Sequence, residues 1–282
     1  MAVYRAEVVR VAEITPRMLR ITLGGESLRG YVHTGHFDEH CRLFFPGPDG
    51  TLPELGDDDA HSPMARIYTI RRYDPATAEI DIDFFLHEGG LATPWARSAR
   101  PGTPIALTDS HGHDVVPPDT QWRLFVGDST ALPAIGRALE ALRPGDHATV
   151  VAIVPADEER QTFASRGAVE IRSIVASAPD EIAAAALDAV TQFPRPATPG
   201  YVWIACEMLA ARKARRFLRA EGFQPGRFSA TGYWRQSSEE WTRRYLALQG
   251  ALEASVATAR EATKDNESFL DEVDRIYSEA GL

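Results

Sequence analysis

Arg66-Ile67-Tyr68-Thr69-Ile70-Arg71 places a guanidinium, a phenol and a hydroxyl within one short run. In an extended chain Arg66, Tyr68 and Ile70 share one face, and Ile67, Thr69 and Arg71 the other. A flavin asks for these groups: a cation for the pyrophosphate, an aromatic surface for the ring, a hydroxyl for its polar edge. An ordinary strand with a surface arginine has the same composition. In His87-Glu88-Gly89-Gly90-Leu91-Ala92-Thr93-Pro94-Trp95-Ala96 the glycines allow a tight turn. A short helix is expected to start near Thr93, its free amides favouring an anion; a plain capped turn reads alike. Val126-Gly127-Asp128-Ser129-Thr130-Ala131 falls between an expected strand and helix, where nucleotides dock on open α/β sheets. It lacks the G-x-G-x-x-G fingerprint. After the next strand, Asp157-Glu158-Glu159 suits a ribose hydroxyl and leans towards NADH, while Arg160 argues for the extra phosphate of NADPH.

The elements that must hold these residues change character once. Tyr4–Val11, Met18–Leu23, Cys41–Phe45, Arg66–Tyr73, Glu79–Leu86 and Ile105–Thr108 read as short strands separated by turn residues, which predicts a closed antiparallel barrel. From Gln121 strands alternate with helices. Leu124–Val126, His147–Val154, Val169–Ile174 and Tyr201–Ala205 are the strands; Ala131–Leu142, Asp180–Gln192 and Met208–Glu221 are the helices. That alternation predicts a parallel sheet with crossover helices. Glu239–Thr263 and Glu267–Glu279 are helical patterns with no strand between them. The expected organisation is therefore a barrel domain over 1–118, an α/β domain over 119–235 and a C-terminal helical extension over 236–282.

The chain has 282 residues, 30 Lys+Arg against 40 Asp+Glu and a formal net charge of −10. The acidic balance argues against nucleic acid or an anionic membrane as partner. No stretch approaches the roughly 18 apolar residues of a membrane-spanning helix, and Met1–Val11 has no apolar signal core. Cys41 and Cys206 are too few for a disulfide framework, which points to a reducing, cytoplasmic setting.

Taken together the segments resemble the siderophore-interacting protein family, the ferric-siderophore reductases. The likeness runs from about Tyr4 to Arg235. It includes Asp38-Glu39-His40-Cys41-Arg42-Leu43-Phe44-Phe45-Pro46, the Arg-x-Tyr-Thr-x-Arg run at 66–71, Asp83–His87 and Gly90–Ala96. It continues through Gly127–Ala134, Tyr201–Glu207 and Gly232-Tyr233-Trp234-Arg235. The resemblance implies a noncovalent FAD between the barrel and an NAD(P)H domain, with NADH or NADPH as donor. It implies that Arg66, Tyr68, Thr69, Ile70, Asp83 and Phe84 line the flavin, with His87 at its phosphate or adenine side. Gly90, Leu91, Ala92 and Thr93 would cradle the pyrophosphate. Asp128, Thr130, Ala131 and Glu207 would lie near the nicotinamide nucleotide, with Tyr233 and Trp234 closing over it. Leu91 departs from the family's proline, Glu88 from a glycine and Ser129 from a glutamate. Glu88, repulsive to a pyrophosphate, is expected to point outward. Cys206 stands where the family has glycine. Related flavin reductases set a cysteine near the nicotinamide C4, so Cys206 is either a catalytic candidate or a buried structural thiol.

The activity so implied is NAD(P)H-dependent reduction of a ferric siderophore through FAD. Arg42, Arg71, Arg72 and Arg235 are candidates for an electropositive mouth that attracts the anionic chelate, joined by Arg243 and Arg244 if the extension folds back. Two other readings stay open: a flavin reductase serving an oxygenase or ferredoxin, and a binder of iron chelates without turnover. No resident metal is expected. His33, His36, Asp38 and His40 read as loop residues, and Asp57-Asp58-Asp59 lacks calcium-loop spacing. Arg212, Lys213, Arg215 and Arg216 form a basic cluster on one helix, read first as neutralising the helix end.

Overall fold

A computed structural model describes residues 2–54, 62, 64–236 and 238–282, and all their side chains except those of 238–240, 242 and 267. Asp57-Asp58-Asp59 lies outside the described residues. Six strands close an antiparallel barrel: β1 (Val3–Thr15), β2 (Met18–Gly24), β3 (His40–Phe44), β4 (Ala65–Asp74), β5 (Glu79–Phe85) and β6 (Pro104–Thr108). Their order around the barrel is β1-β2-β5-β4-β3-β6. Alternate residues of each strand fill the interior, among them Ile21, Leu23, Leu43, Ile70, Ile80, Ile82 and Leu107, all fully buried. Asp81 and Asp83 lie on the opposite face of β5 and are buried as well. Cross-strand partners make this tolerable: Thr22 donates to Asp81 at 2.6 Å, and Arg20 grips Asp83 through both oxygens at 2.7 and 2.8 Å. The short helix α1 (Ala92–Ser98) lies between β5 and β6 in the chain and drives Trp95 into the core between Phe45 and Phe84.

The second half is the parallel sheet that alternation predicts. It comprises β7 (Trp122–Asp128), β8 (His147–Val154), β9 (Ala168–Val175), β10 (Gly200–Glu207) and β11 (Phe228–Trp234). The order β11-β10-β7-β8-β9 reverses direction between β7 and β10, which makes their carboxyl ends the switch point where ligands bind in open α/β sheets. Helices α2 (Leu132–Glu140), α3 (Pro179–Thr191) and α4 (Met208–Ala220) cover the sheet. A Cβ on Gly127 would lie 2.5 Å from the Ala131 Cβ and 3.2 Å from the Ala205 carbonyl. That glycine lets the start of α2 close down on the switch point.

Helices α5 (Ser238–Ala262) and α6 (Asn266–Glu279) form a hairpin around Tyr245, Leu252, Ala259 and Ile276. The basic cluster on α4 turns out to be their dock. Arg215, its side chain 3% exposed, reaches Asp271 at 2.8 Å, Asp274 and the Ala230 carbonyl. Arg212 pairs with Asp274 at 2.7 Å and Arg219 with Asp271 at 3.0 Å. The acids of α6 supply the counter-charge, so neutralising the helix end is not the main role of this cluster. Among the described residues no helix is long and apolar enough to cross a membrane.

Candidate functional site

Strand β4 carries one group of candidates on each face. Tyr68 leans into an aromatic stack, 4.5 Å between ring centroids from Phe84 and 6.5 Å from Phe45. Trp95 joins the same stack, so α1 and the loop before it are held beside Tyr68. In that loop Gly89 and Gly90 take φ of +78° and +76°, a region that disfavours other residues. The Thr93 hydroxyl accepts the His87 amide at 3.3 Å, and the His87 ring stays exposed with Nδ1 at 3.0 Å from the Glu88 carbonyl. Glu88 is exposed, as the repulsion argument requires. Arg66 is half-buried, its guanidinium donating to the Ala65 carbonyl at 2.7 Å. Burial raises the Tyr68 phenol far above its ordinary range, so it remains a neutral donor.

Thr69, Ile67 and Arg42 of β3 lie on the outer face, where Arg42 sits opposite Ile67. Ile67 is 56% exposed. Arg42 is half-buried, and burial alone lowers its guanidinium pKa; no salt bridge to it is found among the described residues. His40, opposite Thr69, is held neutral by burial and rests Nδ1 at 2.9 Å from the Asp38 carbonyl.

The switch point supplies the other half. Asp128 ends β7, is 4% exposed and accepts the Thr130 hydroxyl at 2.5 Å, the Thr130 amide at 2.9 Å and the Trp234 indole at 2.5 Å. Burial raises its carboxyl, the hydrogen bonds offset part of that, and nearby Glu207 adds repulsion. Tyr233 packs edge-on against Trp203. Strand β4 meets the second domain one residue from Thr69, where the Ile70 carbonyl accepts Arg137 of α2.

Several expected ligands are already committed. Ile70 is buried in the barrel, its amide donates to Glu39 at 2.8 Å and its carbonyl receives Arg137, leaving nothing for a cofactor. Both Asp83 oxygens are held by Arg20. Phe84 is a core residue that backs Tyr68, and Ala131 is wholly buried under α2. Glu207 caps α4, accepting the amides of Leu209 at 2.6 Å and Ala210 at 3.2 Å. Cys206 has no exposed surface, and burial beside Asp128 and Glu207 pushes its thiol well above the ordinary value. The geometry therefore supports the structural role for this thiol. Among the arginines, Arg71 pairs with Glu140, Arg72 with Asp74 at 2.7 Å, and Arg235 lies over the Trp241 ring at 4.2 Å. Arg244 bonds the Gly281 carbonyl, turned towards the end of α6.

A seam between the halves carries residues that sequence reasoning passed over. Arg137 of α2 reaches the Glu39 carboxylate and the His36 carbonyl, both at 2.7 Å. Glu39 also accepts Ser110 at 2.5 Å and the Thr34 amide at 2.6 Å. Burial would raise this carboxyl, but the hydrogen bonds and Arg137 outweigh it and hold it below its ordinary value. Asp38 accepts the amides of His113 and Asp114, and Asp114 accepts Trp203 at 2.7 Å and Ser229 at 3.0 Å. Of the histidines near Asp38 in sequence, none joins it in a metal-type cluster; it groups with His113 and Asp114 instead. These carboxylates are spent on amides and an indole, which makes the group a latch. Asp38-Glu39 was visible as a motif, whereas Arg137 had no local signal.

Residues 7–114 match the siderophore-interacting FAD-binding domain, and residues 120–237 match the siderophore-interacting protein domain. The chain belongs to the siderophore-interacting protein family. It is 36% identical over 237 residues to the NADPH-dependent ferric-chelate reductase of Escherichia coli, covering 80% of this chain and 91% of that protein. It is 28% identical over 243 residues to the ferric vibriobactin reductase ViuB of Vibrio cholerae, covering 82% and 89%. A siderophore utilization protein from T. fusca superposes with a TM-score of 0.75 at 32% identity, covering 84% of this chain and 94% of that one.

This siderophore-interacting protein has residues that fit FAD. Arg42 is a desolvated cation with no carboxylate to offset it among the described residues, which a diphosphate would supply. Trp95, near the Gly90–Thr93 loop, buries an indole N–H with no acceptor among the described residues. Exposed Ile67 and half-buried Tyr68 offer apolar surface on β4. Arg66, Tyr68, Thr69, His87 and the Gly90–Thr93 backbone are groups that could hold it.

Proposed function

We propose that the protein reduces a chelated ferric ion with electrons from NADH or NADPH, in the cytoplasm, and so frees iron from a siderophore. The observation that carries this reading is the grip of Arg137 of α2 on Glu39 and on the Ile70 carbonyl of β4, which brings the α/β sheet, with its ligand-binding switch point, against the strand of an FAD-binding barrel. The names of the E. coli and V. cholerae relatives support the substrate class. In this reading residues 1–118 hold FAD, 119–235 receive the donor and 236–282 brace α4.

FAD supplies the conversion between a two-electron donor and a one-electron acceptor. The chain's residues position and shield. Arg42 and Arg66 hold anionic groups on the barrel, and the Gly90–Thr93 backbone lets a phosphate approach without a Cβ in the way. Thr69 and the Tyr233 hydroxyl offer hydrogen bonds where the two domains meet. Asp128, anchored by Thr130, holds the Trp234 indole over the switch point and fixes its orientation. Hard anionic chelators bind Fe³⁺ far better than Fe²⁺, so reduction is enough to loosen the metal and no protein ligand to iron is needed. Of the arginines suggested for the mouth, Arg42 lacks an acid partner among the described residues, while Arg71 and Arg72 must leave their carboxylates, and Arg235 the Trp241 ring, to meet a chelate. Glu159 is buried against the Thr15 hydroxyl, which withdraws it from the ribose role that favoured NADH. The E. coli relative is NADPH-dependent by name, so both donors belong in the test.

The test is anaerobic mixing of FAD-loaded protein with NADH or NADPH, followed by a ferric hydroxamate or catecholate and a ferrous trap. Bleaching of the flavin absorbance and reoxidation matched by trapped Fe²⁺ is the expected outcome. Bleaching without iron release assigns the electrons to another acceptor, an oxygenase or a ferredoxin. A protein that takes up no flavin yet binds the chelate is a carrier.

A further inference from the structure

Strands of parallel sheets are normally covered on both faces. Here α2 lies on β7 and β8, and α3 on β7, β8 and β10, which leaves the edge strand β9 bare. Of Ala168–Val175 only Val169 and Ser173 are half-buried; the others are exposed. Ile171, Ile174 and Val175 are 37%, 36% and 52% exposed. One side of β9 pairs with β8 in unbroken register from His147↔Ala168 to Val154↔Val175, and the other side ends the sheet. The strand has no lysine, no proline and no bulge, and its two charges, Glu170 and Arg172, are of opposite sign, so they guard the edge against a mismatched strand and not against one that pairs them.

We propose that β9 is the docking edge for a second copy of this chain, added antiparallel across a two-fold axis through Ile171, so that the two sheets become continuous. The charges select this occupant and this register. A two-fold normal to the sheet keeps each face continuous, so only residues of the same face can meet. Centred on Ile171, Glu170 of each copy faces Arg172 of the other, Val169 faces Ser173, and the isoleucines face each other. Moving the centre one residue either way sets Glu170 against Glu170 or Arg172 against Arg172, which is unfavourable. Within one copy Glu170 and Arg172 already lie side by side at 2.8 Å with both side chains more than half exposed, so the pair is displayed on the edge. The strand is short, and the interface falls below the roughly 1,200 Å² of a standard complex, which makes the dimer weak and concentration-dependent. It leaves the switch point free, because β8 lies between β9 and β7.

Sedimentation velocity on the full chain from about 5 μM to about 500 μM tests this. The expected result is a monomer–dimer equilibrium. E170R and R172E each set like charges opposite one another and weaken the dimer at least about tenfold. The double variant E170R/R172E restores it. So does an equimolar mixture of the two single variants, where the new arginine meets the new glutamate and the native Arg172 of one meets the native Glu170 of the other. Thermal melts of each variant check that the fold is intact, as both side chains are exposed. A monomer at every concentration overturns the proposal. So does a dimer indifferent to both reversals, which lies elsewhere, or one not restored by mixing, which rests on something other than this pairing.

Discussion

The outer strip of β3 and β4 and the carboxyl edge of the sheet treat their polar groups in opposite ways. On the strip Arg42 has no carboxylate partner among the described residues, Ile67 is exposed and the Trp95 indole nearby finds no acceptor among them. At the sheet edge the strong groups are spent: Asp128 on Thr130 and Trp234, Glu207 on the first turn of α4. The strip is chemically unfinished and asks for a ligand, whereas the edge is finished and gives the ligand a rigid wall. Desolvated groups without partners are costly, so they persist where binding compensates them.

The contrast breaks most severely at the seam. Glu39→Gln leaves the Arg137 guanidinium without its charge partner in a site where the Glu39 side chain is 1% exposed. The expected loss is about 3 kcal/mol of stability at neutral pH. The folded-state pKa of Glu39 is lowered beneath its ordinary 4.5, so its contribution is full above that value and disappears as pH falls through the lowered one. Urea midpoints of parent and variant should therefore converge on acidification below 4.5. A gap that stays constant into acid would show that the carboxylate's charge is not what holds the seam.

Gly127→Ala tests the wall itself. The added methyl lies 2.5 Å from the Ala131 Cβ and 3.2 Å from the Ala205 carbonyl; the Ile135 Cδ1 at 3.1 Å can swing away, but the first two are fixed to the backbone. About 2 kcal/mol of stability should be lost, read as a shifted urea midpoint. Arg42→Ala tests the strip and should behave the other way. FAD affinity falls about tenfold, near 1.4 kcal/mol, by equilibrium dialysis, while the unfolding midpoint of the flavin-free protein holds. Unchanged FAD affinity would remove Arg42 from the cofactor site.

How much of this was visible in the sequence follows the range of the interactions. The barrel, the alternating sheet and the terminal helices rest on hydrophobic period and turn residues, which are local. Thr69, Asp83 and Asp128 stood out because their neighbours form compact motifs. The grip of Arg20 on Asp83 was not legible because the β2–β5 register sets it, and the pairing of Glu39 was hidden because Arg137 is 98 residues away. The arginines of α4 found their acids on a helix about fifty residues on, beyond anything spacing alone discloses. Ile70 was read by its motif, but the fold uses its amide on the Glu39 carbonyl within the barrel and its carbonyl to receive Arg137 of the other half.

Cys206 is the finest test of the comparison, because it is the one reactive atom type at the finished edge. If the edge is a wall, its thiol is packing. It has no exposed surface, lies among Val202, Ile204 and Ala230, and is kept protonated by burial between Asp128 and Glu207. A neutral, enclosed thiol is no nucleophile. Cys206→Ala should therefore cost about 1 kcal/mol or less, as a small cavity does. The rate of flavin bleaching by the nicotinamide donor should stay within about twofold. A large fall in that rate with stability preserved would mean that the edge opens when the donor binds, and that Cys206 touches the reacting atoms after all. The two regions would then differ in timing, the strip ready beforehand and the edge completed only by its ligand.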